Sequence, residues 1–122
     1  MIRPEDILQL AEDLFNDKNK NSEEVVHRAV VGRAYYATHY KVLNSLKVES
    51  FDKEKNKSNY HKNLIQFLDN CDDEDRKIIA KKLKNLKRLR NKADYEISTI
   101  FRLREVKKAM LEAKTTFVFF DS

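Results

Sequence analysis

The chain has 122 residues, with 25 lysines and arginines against 20 acidic residues, and a formal net charge of +5. A single glycine and a single proline exclude a turn-rich β fold and a glycine-rich phosphate loop, because both need several such residues. The lone Cys71 excludes an intrachain disulfide. No apolar run approaches the ~20 residues that a membrane span needs. We therefore expect a soluble, cytoplasmic protein without a membrane partner, with one all-α domain over residues 1–122.

Apolar residues recur at helical spacing through most of the chain and predict five helices. The predicted ranges are 4–16, 22–46, 59–69, 72–94 and 100–119, with a charged, mobile loop at 47–58. The apolar stripes expected to face the core include Leu10 on the first helix, Tyr40 on the second and Leu103 on the fifth. The apolar tail over residues 117–120 indicates either core or an interface between two copies.

Two arginines, Arg33 and Arg90, fall on apolar stripes of the second and fourth helices. A charge taken out of water is costly unless it is paired, so both guanidinium groups need acceptors. Asp94 lies one turn after Arg90, at a spacing that makes the two neighbours. In one interpretation Arg33 crosses to Asp94 and the backbone of the fourth helix. In the other, the arginines line a cleft, where Arg90 binds phosphate. Both can hold at once, with one arginine structural and the other free. The sequence leaves open which arginine pairs with Asp94.

A row of basic residues follows the opposite face of the fourth helix, where residues 77–92 include no acid. The row consists of Lys77, Lys81, Lys84, Arg88 and Lys92. It indicates either an electrostatic track for a phosphate backbone or a solvated helix face.

The histidines do not stand at the spacing of metal ligands, so we predict no metal and no cofactor. His39 lies off the apolar stripe of the second helix and is predicted to lie at the surface or at an interface. Arg33 and His39 point to different faces of that helix, because six residues turn it by about 600°.

Two segments resemble the HEPN superfamily (higher eukaryotes and prokaryotes nucleotide-binding domains). They are Gly-Arg-Ala-Tyr-Tyr-Ala-Thr-His-Tyr at 32–40 and Leu-Arg-Asn-Lys-Ala-Asp-Tyr-Glu at 89–96. His61 matches a histidine that this family carries between the two. The resemblance covers residues 22–118 and is greatest to the small stand-alone bacterial and archaeal members.

The resemblance implies an up-down bundle of four to five helices that forms a homodimer. In nuclease members, an arginine followed four to six residues later by a histidine forms a metal-independent RNA-cleaving site across the dimer. Here Asp94 or Tyr95 occupies the place of that histidine. If the site is active, Arg90, Asp94 and Tyr95 are the catalytic candidates. The candidates for binding nucleotide or RNA are Arg33, Tyr36, Arg90, Asn91 and the basic row.

Three functional hypotheses follow. The first is an RNA- or nucleotide-binding protein of a toxin–antitoxin or defence system, with or without endoribonuclease activity. The second is a non-catalytic module that partners a minimal nucleotidyltransferase, such as those often encoded beside members of this superfamily. The third is a purely structural helical dimer, in which the arginines only hold helices together.

Overall fold

The computed structural model describes residues 2–17, 19, 23–46 and 60–121, and for residues 60–62 the backbone alone. Within these ranges the chain forms helices and no strand, which confirms the all-α prediction. The five helices are α1 (Pro4–Asn16), α2 (Glu24–Ser45), α3 (Tyr60–Asp69), α4 (Glu74–Tyr95) and α5 (Leu103–Asp121). The predicted loop at 47–58 lies outside the described residues.

Helix starts follow the expected local chemistry. Pro4 opens α1, and the backbone N–H of Arg3 donates to the Asp6 carboxylate at 2.9 Å. At the start of α4, the Asp73 side chain accepts from the backbone N–H of Asp75 at 2.9 Å. These contacts satisfy backbone N–H groups and place negative charge at the positive end of each helix dipole.

Helix α2 is the central element of the bundle, because it packs against α1, α4 and α5. It is therefore buried on more than one face, and the single inward stripe predicted for it is wrong in three places. Arg33 and Tyr40 are exposed instead of buried. His39, predicted to lie at the surface or at an interface, is only 1% exposed inside this chain. Its ring contacts the ring of Tyr40 edge-on at 5.3 Å.

The core has two neighbouring clusters. The larger one joins α1, α2, α4, α5 and Phe101, while the smaller one joins α3 to the end of α2 and the start of α4. Phe117 is buried and Phe120 packs against the smaller cluster, so half of the apolar tail is core. Leu10 and Leu103, predicted to face inward, are 46% and 43% exposed.

One arginine joins α2 to the end of α4. Arg28 is only 12% exposed, and its guanidinium donates to four backbone carbonyls at 2.6–3.2 Å. These carbonyls belong to Lys92, Ala93, Glu96 and Thr99. The last carbonyls of a helix lack intrahelical partners, so a cation placed there satisfies them and opposes the negative end of the dipole.

Glu24, one turn before Arg28, completes this contact. Its carboxylate accepts from Arg28 Nη2 at 2.9 Å and from the backbone N–H of Phe101 at 2.8 Å. These hydrogen bonds, the one from Arg28 first, lower the pKa of the Glu24 carboxyl. The Arg28 guanidinium also lies 5.4 Å from the centre of the Phe101 ring. Glu24 and Arg28, which we call the α2 clamp, thus hold the α4–α5 link and delay the start of α5 to Leu103.

Replacing Arg28 by alanine should lower the free energy of unfolding by about 2–4 kcal/mol, since it leaves several backbone carbonyls without a charged donor. Urea unfolding followed by circular dichroism measures the change. Arg33→Ala is the matched control, because Arg33 lies five residues further along α2 and is exposed. The control should cost less than about 0.5 kcal/mol. Equal effects of the two substitutions would show that the clamp does not stabilise the fold.

Candidate functional site

Arg90 lies at the centre of a polar cluster between α4 and α2. Its side chain is 20% exposed, and its Nη2 donates to the Tyr36 hydroxyl at 2.8 Å. Its Nε lies 2.9 Å from Asp94 Oδ2, which is an ion-pair distance. The Nε–H is not aligned for a hydrogen bond with this oxygen and makes none with a described residue. Its Nη1 donates a long bond of 3.4 Å to Asn91 Oδ1. Asp94 thus pairs with Arg90, which resolves the alternative that the sequence left open.

Three tyrosine rings surround the same guanidinium. Its central carbon lies 5.4 Å from the ring centre of Tyr36, 5.5 Å from that of Tyr95 and 5.9 Å from that of Tyr35. Such contacts stabilise a partly desolvated cation. Arg90 is therefore held from several sides, and its orientation is fixed before any ligand arrives.

The electrostatics of the cluster favour a permanent positive charge on Arg90. Burial opposes that charge, but the hydroxyls of Tyr36 and Tyr95 and the carboxylate of Asp94 outweigh it and raise the pKa of the guanidinium. Burial also raises the pKa of the Tyr35 hydroxyl far above its ordinary range. Tyr35 is consequently a neutral packing residue and not a proton acceptor near pH 7.

A pocket of about 500 Å³ lies beside this cluster, between α1, α2 and the end of α4. Its lining residues are Ile7, Arg28, Ala29, Gly32, Arg33, Tyr36, Tyr40 and Asp94. We call it the Arg33 pocket. None of the described residues that line the pocket is a histidine.

Gly32 leaves space in the wall of the Arg33 pocket. A Cβ atom added there would meet Asp94 Oδ1 at 4.0 Å, which is an ordinary contact. A glycine inside a helix costs roughly 0.5–1 kcal/mol relative to alanine. The Gly32 backbone tolerates a side chain, so this position trades helix stability for open volume beside Asp94.

Arg33 supplies the cation of this pocket. Predicted to point at the core, it is exposed, because its turn of α2 lies over the pocket and not over a neighbouring helix. With the described residues it makes one side-chain hydrogen bond, a long one of 3.4 Å to the Ala29 carbonyl of its own helix, and no ion pair. The cross-helix contact proposed for Arg33 as the structural alternative is made by Arg28.

The two arginines therefore have different surroundings. Arg90 is held by its neighbours and is not among the residues that line the pocket, whereas Tyr36 and Asp94, which it contacts, are. Arg90 is thus a positioning residue for this pocket. Tyr95 is 69% exposed and also lies outside the lining, as does Asn91, which faces a cleft on the other side of α4.

The basic row lies on the face of α4 away from Arg90, as the helical spacing predicts. Two of its five members are ion-paired: Lys84 with Asp69 at 2.7 Å and Lys92 with Glu105 at 2.9 Å. Lys77, Lys81 and Arg88 are exposed and make no ion pair with a described residue. The row is therefore not a uniform track of free cations.

In the described part of the chain, no group of three or more histidine, cysteine, aspartate or glutamate side chains is placed to hold a metal ion. Within the same ranges, every helix is too short or too polar to cross a bilayer. The side chain of His61, which the resemblance singles out, lies outside the described residues.

The sequence did not predict the positions that two residues of this region occupy. Arg28 was missed because its partners are backbone carbonyls, which leave no trace in the sequence, although Glu24 at the i−4 position was a usable signal. Tyr40 was assigned to the core, but it lines the pocket and is 42% exposed. The exposure of Tyr40 follows from the packing of α2 against three helices, which a single apolar stripe does not predict.

Comparison with known proteins finds an archaeal relative. The chain is 31% identical over 120 residues to the "Uncharacterized protein MJ0628" of Methanocaldococcus jannaschii, and the match covers 88% of this chain and 72% of that protein. No protein-family model matches the chain. No solved structure matches it either.

Arg90→Lys should lower the free energy of unfolding by about 1–3 kcal/mol, although the charge is kept, because an ammonium group cannot contact Tyr36, Asp94 and Asn91 together. Urea unfolding measures the loss. Arg88→Lys is the matched control on the exposed face of α4, and it should change stability by less than about 0.5 kcal/mol. If both lysine variants are as stable as the wild type, the cluster around Arg90 is not a structural unit.

Proposed function

This chain belongs to the family of the Methanocaldococcus jannaschii protein MJ0628, and within that family we propose that it is a HEPN-like domain that binds RNA or a nucleotide. The proposed site is the Arg33 pocket. The proposed setting is a toxin–antitoxin or defence system, which is the setting that the sequence resemblance implies.

The observation that carries this proposal is the exposed guanidinium of Arg33, which lines one pocket together with two tyrosines. A planar guanidinium can donate two parallel hydrogen bonds to a phosphate. Tyr36 and Tyr40 line the same pocket. Unpaired bases stack on aromatic side chains of this kind in many RNA-binding proteins. A phosphate and a base are the two parts of one nucleotide, and the pocket offers a partner for each.

The charge balance of the pocket also favours an anion. Glu24 neutralises Arg28, and Arg90 neutralises Asp94 from behind the pocket wall. Arg33 then remains as the net positive charge of the lining. Arg90 and its neighbours already hold Tyr36 and Asp94 in place. Few side chains therefore have to become ordered when a ligand binds, so the entropic cost of binding is low.

The pocket supports binding better than cleavage. Metal-independent cleavage of RNA by attack of the ribose 2′-hydroxyl on the adjacent phosphate needs a group that exchanges a proton near neutral pH, and histidine serves this best. Of the predicted catalytic residues only Asp94 lines the pocket, and it is already paired with Arg90. We therefore infer a binding domain, with Asp94 as the acceptor of a proton from a ribose hydroxyl should the protein cleave RNA.

The second candidate function is a non-catalytic module that partners a minimal nucleotidyltransferase. It is favoured because no histidine lines the pocket and Asp94 is already paired. Under that hypothesis the Arg33 pocket binds the nucleotide or RNA that the partner acts on. Co-purification with a nucleotidyltransferase encoded beside this protein would favour it. The purely structural dimer is less favoured, because Arg33 is exposed and joins no two helices.

A homodimer forms part of the proposal, and exposed apolar residues support it. Ile78, Val118 and Phe119 are 52%, 65% and 40% exposed. Residue 78 lies at the start of α4 and residues 118 and 119 near the end of α5, and these two helices run antiparallel. An apolar patch of this kind at the surface is typical of an interface between protein chains.

Arg33→Ala should weaken the binding of a fluorescent adenosine monophosphate and of a short single-stranded RNA by about tenfold or more, because the phosphate loses its charged donor. Fluorescence anisotropy in the presence of EDTA measures the affinity, and gel analysis of the same samples reports cleavage. Arg104→Ala removes the same charge from an exposed position on α5 and should leave mononucleotide binding unchanged.

Two further results decide between the hypotheses. Gly32→Leu keeps every charge but occupies the space beside Asp94, so it should also reduce nucleotide binding while the protein stays folded. Cleavage in EDTA that disappears in Asp94→Asn would identify a nuclease. Unchanged binding in both Arg33→Ala and Gly32→Leu would contradict the proposed site and leave the partner module or the structural dimer.

A further inference from the structure

Part of the basic row, Lys84, Arg88 and Lys92, belongs to a wider basic surface on the side of α4 away from Arg90, where α4 and α5 run antiparallel. Three contacts fix their register: Lys82 with Thr115, Asn85 with Glu112, and Lys92 with Glu105. A groove of about 420 Å³ follows this seam. It is lined by Arg88, Leu89, Lys92, Arg104, Glu105 and Lys108.

A cleft of about 680 Å³ between α3 and α4 continues this surface. Its cations are Lys84, Lys87 and Arg88, and its amides are Gln66 and Asn91. Arg88 lines both the cleft and the groove, so the two are adjacent across α4. We call the continuous surface the basic belt.

The belt has more cations than its acids neutralise. Lys84 and Lys92 are paired with Asp69 and Glu105. The remaining four cations form no ion pair with a described residue, and they are Lys87, Arg88, Arg104 and Lys108. Glu96, in the wall of the cleft, is the one other acid among the described lining residues. The belt therefore presents a net positive surface supplied by two helices.

We propose that the basic belt binds the sugar-phosphate backbone of double-stranded nucleic acid. Cations that neutralise backbone phosphates and release their counterions are the main source of affinity for such a ligand. The amides of Gln66 and Asn91 are suited to hydrogen bonds with phosphate and sugar oxygens. The inference uses residues separate from the Arg33 pocket and shares with the proposed function only the class of ligand.

The composition of the belt favours a duplex over a single strand. Proteins that bind single strands combine a basic groove with aromatic side chains on which bases stack. The described lining residues of the belt include no aromatic residue, in contrast to the Arg33 pocket. Duplex RNA is recognised chiefly through its shape, its phosphates and its ribose hydroxyls, which require no stacking platform.

The belt is less suited to a lipid surface. Helices that lie in a membrane interface combine cations with exposed apolar residues that insert among the lipids. The apolar residues lining the belt are Ile65 and Leu89, which are 7% and 2% exposed. The belt thus offers charge and amides to a ligand, but no apolar side chain that could insert.

The belt and the Arg33 pocket can be tested separately, because they lie on different sides of α4. Arg88 and Arg90 are two residues apart, which is about 200° around the helix. Arg88 and Arg104 are exposed and make no ion pair with a described residue, so their substitution should not unfold the protein.

The test measures the affinity of the whole chain for an RNA duplex, for a DNA duplex of the same sequence and for one RNA strand, at several salt concentrations. The wild type should bind a duplex more tightly than the single strand. Neutralisation of four phosphates predicts a slope of log affinity against log salt of about −3 to −4. Comparison of the two duplexes shows whether ribose hydroxyls contribute.

Arg104→Gln should reduce that slope by about 1 and weaken duplex binding several-fold. The double variant Arg88→Glu with Arg104→Glu should abolish duplex binding. Lys114→Gln is the matched control, because Lys114 is also on α5 but pairs with Glu12 of α1 at 2.8 Å. It should bind the duplexes like the wild type, and thermal unfolding should show that every variant is folded.

Arg33→Ala should leave duplex binding intact, and Arg104→Gln should leave mononucleotide binding intact, so the two proposals fail independently. Duplex binding that is absent in the wild type or unchanged in the double variant would overturn the inference. Binding to vesicles with anionic lipid that is tighter than duplex binding and lost in the double variant would also overturn it, by assigning the belt to membranes.

Discussion

The contact of Arg28 with the end of α4 is the constraint on which the rest of the structure depends. It supplies a charged donor to backbone carbonyls at the end of α4 and in the following link, and with Glu24 it fixes the link to α5. The position of α4 relative to α2 follows from this contact. That position in turn brings Arg90 to Tyr36 on one side of α4 and leaves Arg88 facing solvent on the other.

The central place of α2 explains how the arginines divide their roles. A helix that packs against three others has little surface left, and Arg33 lies on that remaining strip, over a pocket. Arg28 and Arg90 are drawn into contacts between helices, where backbone carbonyls, tyrosines and a carboxylate offset their desolvation. Of these three arginines, Arg33 has the fewest partners, and its guanidinium remains available to a ligand.

The sequence predicted the helices well, because periodicity and acidic first turns are local properties. Helix α1 was predicted to the residue, and Arg90 lies on the inward side of α4 as its apolar stripe predicted. The errors at Arg33 and His39 have one physical cause: a wheel with one apolar stripe describes a helix with one buried side, and α2 has several. Pairing across helices, as for Arg28, depends on geometry that no sequence pattern records. The sequence therefore identified three residues of the candidate pocket, Arg33, Tyr36 and Asp94. It did not show that they line the same cavity.

Gly32 has a consequence for comparing members of this family. It is the single glycine of the chain, and its missing side chain is what leaves room beside Asp94. A residue with a side chain there would raise the helix propensity and reduce the space beside Asp94 at the same time. The size of the side chain at this one position is therefore a marker that can be read from any related sequence. A relative with a glycine at this position is expected to have the same open volume, whereas a relative with a bulky residue is expected to have a more stable helix and less space beside the aspartate.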